Sequence, residues 1–230
     1  VPTSQAVCEW IAHEIRESAG KPVGAGYQAT VSLHESPFGK LVVKAARTRG
    51  FLSRASVTRE EEIYERLENI PGIPKSYGIH RDVGLVLEYI EGRPLREREG
   101  DLADREAFFT HMLETIDAMH AAGVAHCDLK RKDNTIVGPG ETPYLIDFGV
   151  ACILREGDGR TKRAWFDLMR QMDYNAWVKL KYGREPKDLP PEVAQRYHPL
   201  LLERVARSIR IPWQKLTLRR LRKRWKKARR

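Results

Sequence analysis

Apolar positions change period several times along the chain, and each change predicts an element. Val7, Trp10, Ile11 and Ile15 recur at helical spacing and predict an amphipathic helix over residues 4–18, with Ser4 at its cap and Gly20 and Pro22 closing it. Two strand-like runs follow, 28–33 and 40–45, joined by the turn-rich stretch 34–39. Residues 57–69 read as a charged helix carrying Ile63 and Leu67, stopped by Ile70-Pro71-Gly72. Apolar runs at 77–80 and 84–89 read as further strands, so the first half is predicted to be a mostly antiparallel sheet with one inserted helix. From Asp101 the pattern turns helical: Phe108, Met112, Ile116 and Met119 mark one face of a helix ending near Ala122-Gly123. A compact polar loop leads to a strand at 134–137, a turn at Gly138-Pro139-Gly140 and the apolar Tyr144-Leu145-Ile146. Helices are predicted again over 163–181 and 192–208.

Composition adds an asymmetry that the pattern does not show. The net charge is +10, but residues 201–230 alone hold 13 Lys or Arg against the single acidic Glu203. The remaining 200 residues are close to neutral, so the basic character belongs to a tail. Within 214–230, Leu218, Leu221 and Trp225 fall at helical spacing among lysines and arginines. A basic helix with one apolar stripe suits an anionic membrane surface, and nucleic acid is the lesser reading because aromatic interleaving is missing. No run approaches the roughly 20 apolar residues of a membrane-spanning helix, and the first residues lack the basic start and apolar run of a signal peptide. Cys8, Cys127 and Cys152 form no CxxC pair, which favours free thiols in a reducing compartment.

Four features carry candidate chemistry, and they occur in one order. Gly24-Ala25-Gly26-Tyr27-Gln28-Ala29-Thr30-Val31 places glycines before a strand, where backbone N–H groups can approach phosphate oxygens. Lys44 lies within the apolar run Leu41-Val42-Val43-Lys44-Ala45 and needs an anionic partner, because burying a bare ammonium is costly. Glu60 shares a helix face with Ile63, Tyr64 and Leu67 and is the chosen partner, with Glu61 as the fallback. The loop His126-Cys127-Asp128-Leu129-Lys130-Arg131-Lys132-Asp133-Asn134 combines a carboxylate, a cation two residues later and a second metal-type ligand. Ile146-Asp147-Phe148-Gly149 puts a carboxylate after an apolar strand, where it could grip Mg²⁺ between phosphates.

Together these motifs, from Gly24 to Gly149, resemble the protein-kinase superfamily. The resemblance implies an α+β, two-lobed protein-kinase-like fold: an N-terminal antiparallel sheet with one helix over 1–90, a mainly helical lobe over 91–212, and the basic tail 213–230. It implies ATP and Mg²⁺ as cofactors. Gly24, Gly26 and Val31 would line the nucleotide, and Lys44 would hold its α/β-phosphates while paired with Glu60. Leu85 to Gly92 would be the hinge, with Leu87 at the gatekeeper place and the backbone of Glu88 and Ile90 receiving adenine. Asp128 would be the catalytic base, Lys130 would face the γ-phosphate, and Asp147 would bind metal.

The departures from that pattern are specific. The family's metal-binding asparagine comes five residues after the catalytic aspartate; that place is Asp133 here, and Asn134 follows it. Asn134 is favoured because it directly precedes an apolar strand. Cys127 replaces the arginine that would pair with a phosphorylated activation loop, so such control is expected to be absent. No APE motif follows Gly149, and the next helix is expected to begin near Thr161–Ala164, leaving a short segment where a long peptide-docking platform would be. Asp167 or Asp173 would brace the catalytic loop. These features resemble the RIO-like kinases and the lipopolysaccharide core (Kdo/heptose) kinases. The expected acceptor is a hydroxyl of a glycolipid sugar, with a protein serine or threonine as the alternative. A pseudokinase scaffold is the third reading, opposed by the retained Lys44, Asp128 and Asp147. The expected location is cytoplasmic, peripheral at the inner face of the cytoplasmic membrane.

Overall fold

The structure, a computed structural model, describes residues 4–17, 20–25, 29–46, 51–80, 83–183 and 188–198. The first half runs α1 (Ser4–Glu17), β1 (Lys21–Ala25), β2 (Ala29–Ser36), β3 (Gly39–Ala46), α2 (Phe51–Arg66), β4 (Ser76–His80) and β5 (Gly84–Glu88). Its five strands form one antiparallel sheet in the order β1-β2-β3-β5-β4. Period-two alternation sends β3 and β5 side chains to opposite faces. Leu41, Val43 and Val86 join Val7, Cys8 and Ile11 of α1 in one buried cluster. Leu85 and Leu87 join Ile63, Tyr64 and Leu67 of α2 in another, with Val42 packed against it. The sheet therefore has a helix on each face, and Cys8 Sγ donates to Tyr77 O at 3.0 Å to hold α1 on β4. Each such fully buried aliphatic side chain stabilises the fold by about 1.5–3 kcal/mol.

The second half runs β6 (Arg93–Pro94), α3 (Leu95–Arg98), α4 (Arg105–Ala121), β7 (Val124–Ala125), β8 (Thr135–Val137), β9 (Pro143–Leu145), β10 (Cys152–Ile153), α5 (Arg160–Tyr182) and α6 (Pro191–Ala194). Asp104 caps α4 by accepting from Ala107 N at 2.9 Å. Gly123 ends that helix at φ 76°, and a Cβ there would lie 2.7 Å from Leu154 O. Phe108, Met112, Ile116 and Met119 are all buried, as their spacing predicts. The α2 cluster continues without a break through these residues to Phe148 and Trp177, so one core runs beneath both halves. Trp177 Nε1 donates to Phe109 O at 2.8 Å and ties α5 to α4. The architecture is α+β, an antiparallel sheet followed by a helical half, as expected. Among the described residues no helix is long and apolar enough to cross a membrane.

Several predicted boundaries move, each for a physical reason. The stretch 34–39 is not a six-residue turn: β2 and β3 pair as far as Ser36↔Gly39 around Pro37-Phe38. Ser36 Oγ donates to Gly39 O at 2.6 Å and accepts from Phe38 N at 3.1 Å, closing a two-residue turn with Gly39 at φ 109°. Pro22, read as closing the first helix, lies in β1, whose register shifts between Pro22 and Gly24. Helix α2 starts before residue 57 and stops at Arg66, with Asn69 turning the chain at φ 68°. Over the described part of the predicted helix 192–208 the expectation is contradicted: α6 ends at Ala194 and His198 is not helical. Asn175 captures that segment, its Nδ2 donating to His198 O at 2.7 Å and its Oδ1 accepting from His198 N at 3.1 Å. The residue before Pro199 is also disfavoured from helical backbone. Residues 199–230, including the tail, lie outside the described residues, as do Gly26, Tyr27 and Gln28.

Candidate active site

Strand β3 carries Lys44 on the face turned toward α2, opposite Val31 of β2 and Leu85 of β5. Its Nζ lies 2.5 Å from Glu60 Oε1 and 3.2 Å from Asp147 Oδ1. Burial alone would lower the Lys44 ammonium; the Glu60 and Asp147 carboxylates outweigh it and hold the group above its ordinary value. Glu60 is buried. The fallback, Glu61, is used elsewhere, its Oε1 accepting from Ile79 N at 2.7 Å.

The separation of Asp128 and Asp147 in sequence closes through a hairpin. Strands β8 and β9 pair from Thr135↔Leu145 to Val137↔Pro143, and Ile146 N donates to Asn134 O at 3.0 Å. His126 spans the same gap: Nε2 lies 3.0 Å from Ile146 O while Nδ1 accepts from Asp128 N at 3.4 Å, which assigns the ring proton to Nε2. Phe148 is wedged between the two halves, 5.2 Å from the Tyr64 ring of α2 and 4.8 Å from the His126 ring. Asp147 stands at φ 69°, a left-handed conformation, with its side chain 49% exposed. Burial pushes its carboxyl up, but Lys44 above all, with His126 and Arg131, overrides this and holds it below its ordinary value.

Of the two candidate braces the structure selects Asp173. Its side chain is 1% exposed, with Oδ2 accepting from His126 N at 2.7 Å and Oδ1 from Cys127 N at 2.9 Å. His120 Nε2, at the end of α4, lies 3.1 Å from the same Oδ2. These bonds hold the loop on α5 just before Asp128, with Cys127 at φ 68°. Asp167 is exposed, and among the described residues its carboxylate meets Arg170 alone. Sequence reasoning missed His120 altogether; its position on the buried face of α4 was the available signal.

The alternatives for the residue after Lys132 also separate. Asp133 Oδ1 and Oδ2 accept from Arg96 Nε and Nη2 at 2.7 and 2.6 Å, a bidentate pair that occupies both carboxylate oxygens. Asn134 is buried and its Nδ2 donates to Asp128 O at 3.1 Å. Lys130 Nζ and Arg131 Nη1 stand 3.7 Å from Asp128 Oδ1 and Oδ2 respectively. At the other end of the site Leu87 is buried in β5, Tyr89 N donates to Lys40 O at 3.2 Å, and Ile90 makes no backbone hydrogen bond among the described residues. Gly24 lies inside β1, paired with Val31 rather than in a loop.

Helix α2 is also tied to the segment after Asp147, which sequence reasoning did not foresee. Arg59 Nη2 donates to Ala151 O at 2.7 Å and Arg66 Nη1 to Leu154 O at 3.3 Å. Between them Glu62 accepts both Arg155 Nε at 3.1 Å and Nη2 at 2.6 Å. The spacing of Arg59, Glu62 and Arg66 on one helix face was visible, but their partners lie about ninety residues away.

Cys127 follows from the same packing. Burial first, and then the Asp173 carboxylate, push its thiol up to about 12. At pH 8 the reactive thiolate is then about one part in ten thousand. Iodoacetamide at pH 8 is expected to leave Cys127 unmodified in the folded protein and to label it in urea, as read by peptide mass spectrometry. Labelling of the folded protein at the rate of a free thiol would contradict this.

Known proteins resemble this chain in sequence over a defined stretch. The protein kinase domain family matches residues 18–168. Calcium-dependent protein kinase 27 of Oryza sativa subsp. japonica is 29% identical over 185 residues, covering 73% of this chain and 29% of that protein. Calcium-dependent protein kinase 11 of Arabidopsis thaliana is 29% identical over 153 residues, covering 60% and 31%. The probable serine/threonine-protein kinase PknB of Lactococcus lactis is 30% identical over 149 residues, covering 59% and 24%. The chain spans between about a quarter and two-fifths of the length of the curated relatives it matches. The family match takes in more than half of the 230 residues, including both carboxylates, the lysine that meets one of them and the hairpin between, so the chain belongs to the protein kinase domain family.

Proposed function

We propose that this domain transfers the γ-phosphoryl group of ATP to a hydroxyl acceptor. The observation that carries the reading is Lys44 held between Glu60 at 2.5 Å and Asp147 at 3.2 Å, across the two halves of the molecule. In this reading Lys44 positions the α/β-phosphates and Glu60 fixes Lys44. Gly24, Gly26 and Val31 cover the nucleotide. The unpaired backbone of Ile90, with Glu88 beside it and Leu87 behind, receives adenine. Asp128 takes the hydroxyl proton as the acceptor oxygen forms its bond to Pγ. The bond from Pγ to the β,γ-bridging oxygen breaks, and its electron pair leaves with ADP. Lys130 faces the transferring group.

Asp147 and Asn134 fit a hard cation: one supplies a half-exposed carboxylate held ionised by Lys44, the other an amide beside the Asp128 backbone. Among the described residues no group of three or more His, Cys, Asp or Glu could hold a metal by itself, which suits an ion shared with substrate phosphates. When bound, Mg²⁺ would neutralise charge on the phosphates. The retained set argues against a pseudokinase scaffold.

Two acceptors are supported by different observations. The relatives named as serine/threonine kinases favour a protein hydroxyl. The twelve residues between Asp147 and α5 leave little room for a peptide platform and, with the basic stripe of 214–230, favour a glycolipid sugar of the lipopolysaccharide core at the inner face of the cytoplasmic membrane. Incubation with labelled ATP and either purified lipopolysaccharide core or a protein lysate separates them. Label in protein alone would rule out the sugar reading. Loss of binding to anionic vesicles on removing residues 214–230 would support the membrane location, and unchanged binding would remove it.

A further inference from the structure

We infer that Arg131 is a further catalytic residue of the proposed transfer, a second cation that contacts the γ-phosphoryl group beside Lys130. The inference rests on the phosphotransfer reading above. Two turns fix the place of Arg131 between the site's base and its amide: Arg131 N donates to Asp128 O at 3.2 Å, and Asn134 N donates to Arg131 O at 2.9 Å. From there Nη1 stands 3.7 Å from Asp128 Oδ2, on the opposite carboxylate oxygen from Lys130. Its charge also acts on Asp147, the second carboxylate of the site.

The neighbouring cations are committed elsewhere. Arg96 is taken up bidentately by Asp133, and Lys132 is paired with Glu99. The Arg131 guanidinium makes no hydrogen bond among the described residues, and its side chain is 57% exposed. It therefore offers N–H donors next to Asp128 with nothing in the described fold to receive them. In phosphoryl transfer, negative charge spreads over the three equatorial oxygens of the moving group. A planar guanidinium can meet two such oxygens at once, which the point charge of Lys130 cannot. A surface ion pair with Asp128 alone would be the plainer account, but at 3.7 Å without a hydrogen bond it leaves the donors unused.

The test compares the wild type with Arg131→Ala and Arg131→Lys, each checked for an unchanged melting temperature. Binding of ADP and of a non-hydrolysable ATP analogue, both with Mg²⁺, is measured by calorimetry. Hydrolysis of ATP with water as acceptor is measured alongside, so no acceptor need be known. Arg131→Ala is expected to weaken the analogue about tenfold, leave ADP within about twofold, and slow hydrolysis about a hundredfold, with Arg131→Lys recovering part of each. Equal changes for both nucleotides, or no change in either, would overturn the inference. So would unchanged hydrolysis in Arg131→Ala. Wild-type protein that bound neither nucleotide would overturn both this inference and the reading beneath it, whereas normal wild-type binding with unaltered Arg131 variants would overturn this inference alone.

Discussion

Asp128→Asn is expected to lower phosphoryl transfer by about 10²–10⁴-fold while leaving ATP bound, because a positioned general base contributes on that order. The substitution keeps the shape of the side chain and removes its charge. Lys130 and Arg131, each 3.7 Å from one carboxylate oxygen, lose an anion and gain freedom to meet phosphate oxygens. Affinity for ATP is therefore expected to hold or tighten as turnover falls. Calorimetry against ATP, paired with label transfer or hydrolysis, reads both quantities on one preparation. Turnover within tenfold of wild type would sink the assignment of Asp128 as base. Lost ATP binding with lost turnover would mean that Asp128 maintains the loop instead.

Asp173→Ala is expected to produce the largest loss of stability among single changes near the site. It leaves His126 N and His120 Nε2, both buried, and the half-buried Cys127 N without their acceptor. Each orphaned donor costs about 1–3 kcal/mol, so a total of about 4 kcal/mol is reasonable. For a chain of this size that corresponds to a fall of roughly 8–16 °C in Tm. Asp167→Ala, on the exposed face of the same helix, is expected to change stability by no more than about 0.5 kcal/mol. Thermal unfolding of the two variants side by side gives the contrast directly. A fall of less than about 3 °C for Asp173→Ala would show that the three donors find other partners.

These two aspartates also mark how far the amino-acid pattern reaches. Lys44 and Glu60 could be paired from sequence because a lysine set in an apolar run needs an anionic partner and Glu60 shares a helix face with Ile63, Tyr64 and Leu67, whereas the contact of Lys44 with Asp147 needed the fold. The buried face of α4 was legible because four large side chains share one helical period. Choosing between Asp167 and Asp173 was beyond local spacing, since both lie on α5 and only the fold shows which face meets the catalytic loop. Asp133 and Asn134 separated for a similar reason: Arg96 draws one away, and it lies 37 residues upstream. The helix expected at 192–208 stops short within its described part because Asn175 claims the backbone of His198, a long-range capture that periodicity cannot register. Strand β1 was hidden by Pro22 and Gly24, which read as loop residues until β2 supplies their partner.

The contacts between α2 and the segment after Asp147 have one more consequence. From Phe148 to Arg160 the chain contains no serine, threonine or tyrosine, so a kinase acting on hydroxyls has nothing to modify there. The charge that meets Glu62 is Arg155 itself, and Arg59 and Arg66 reach main-chain carbonyls that exist in every copy of the chain. The position of α2 is thus held by side chains and carbonyls of the polypeptide itself, with no hydroxyl between Phe148 and Arg160 whose modification would change those contacts.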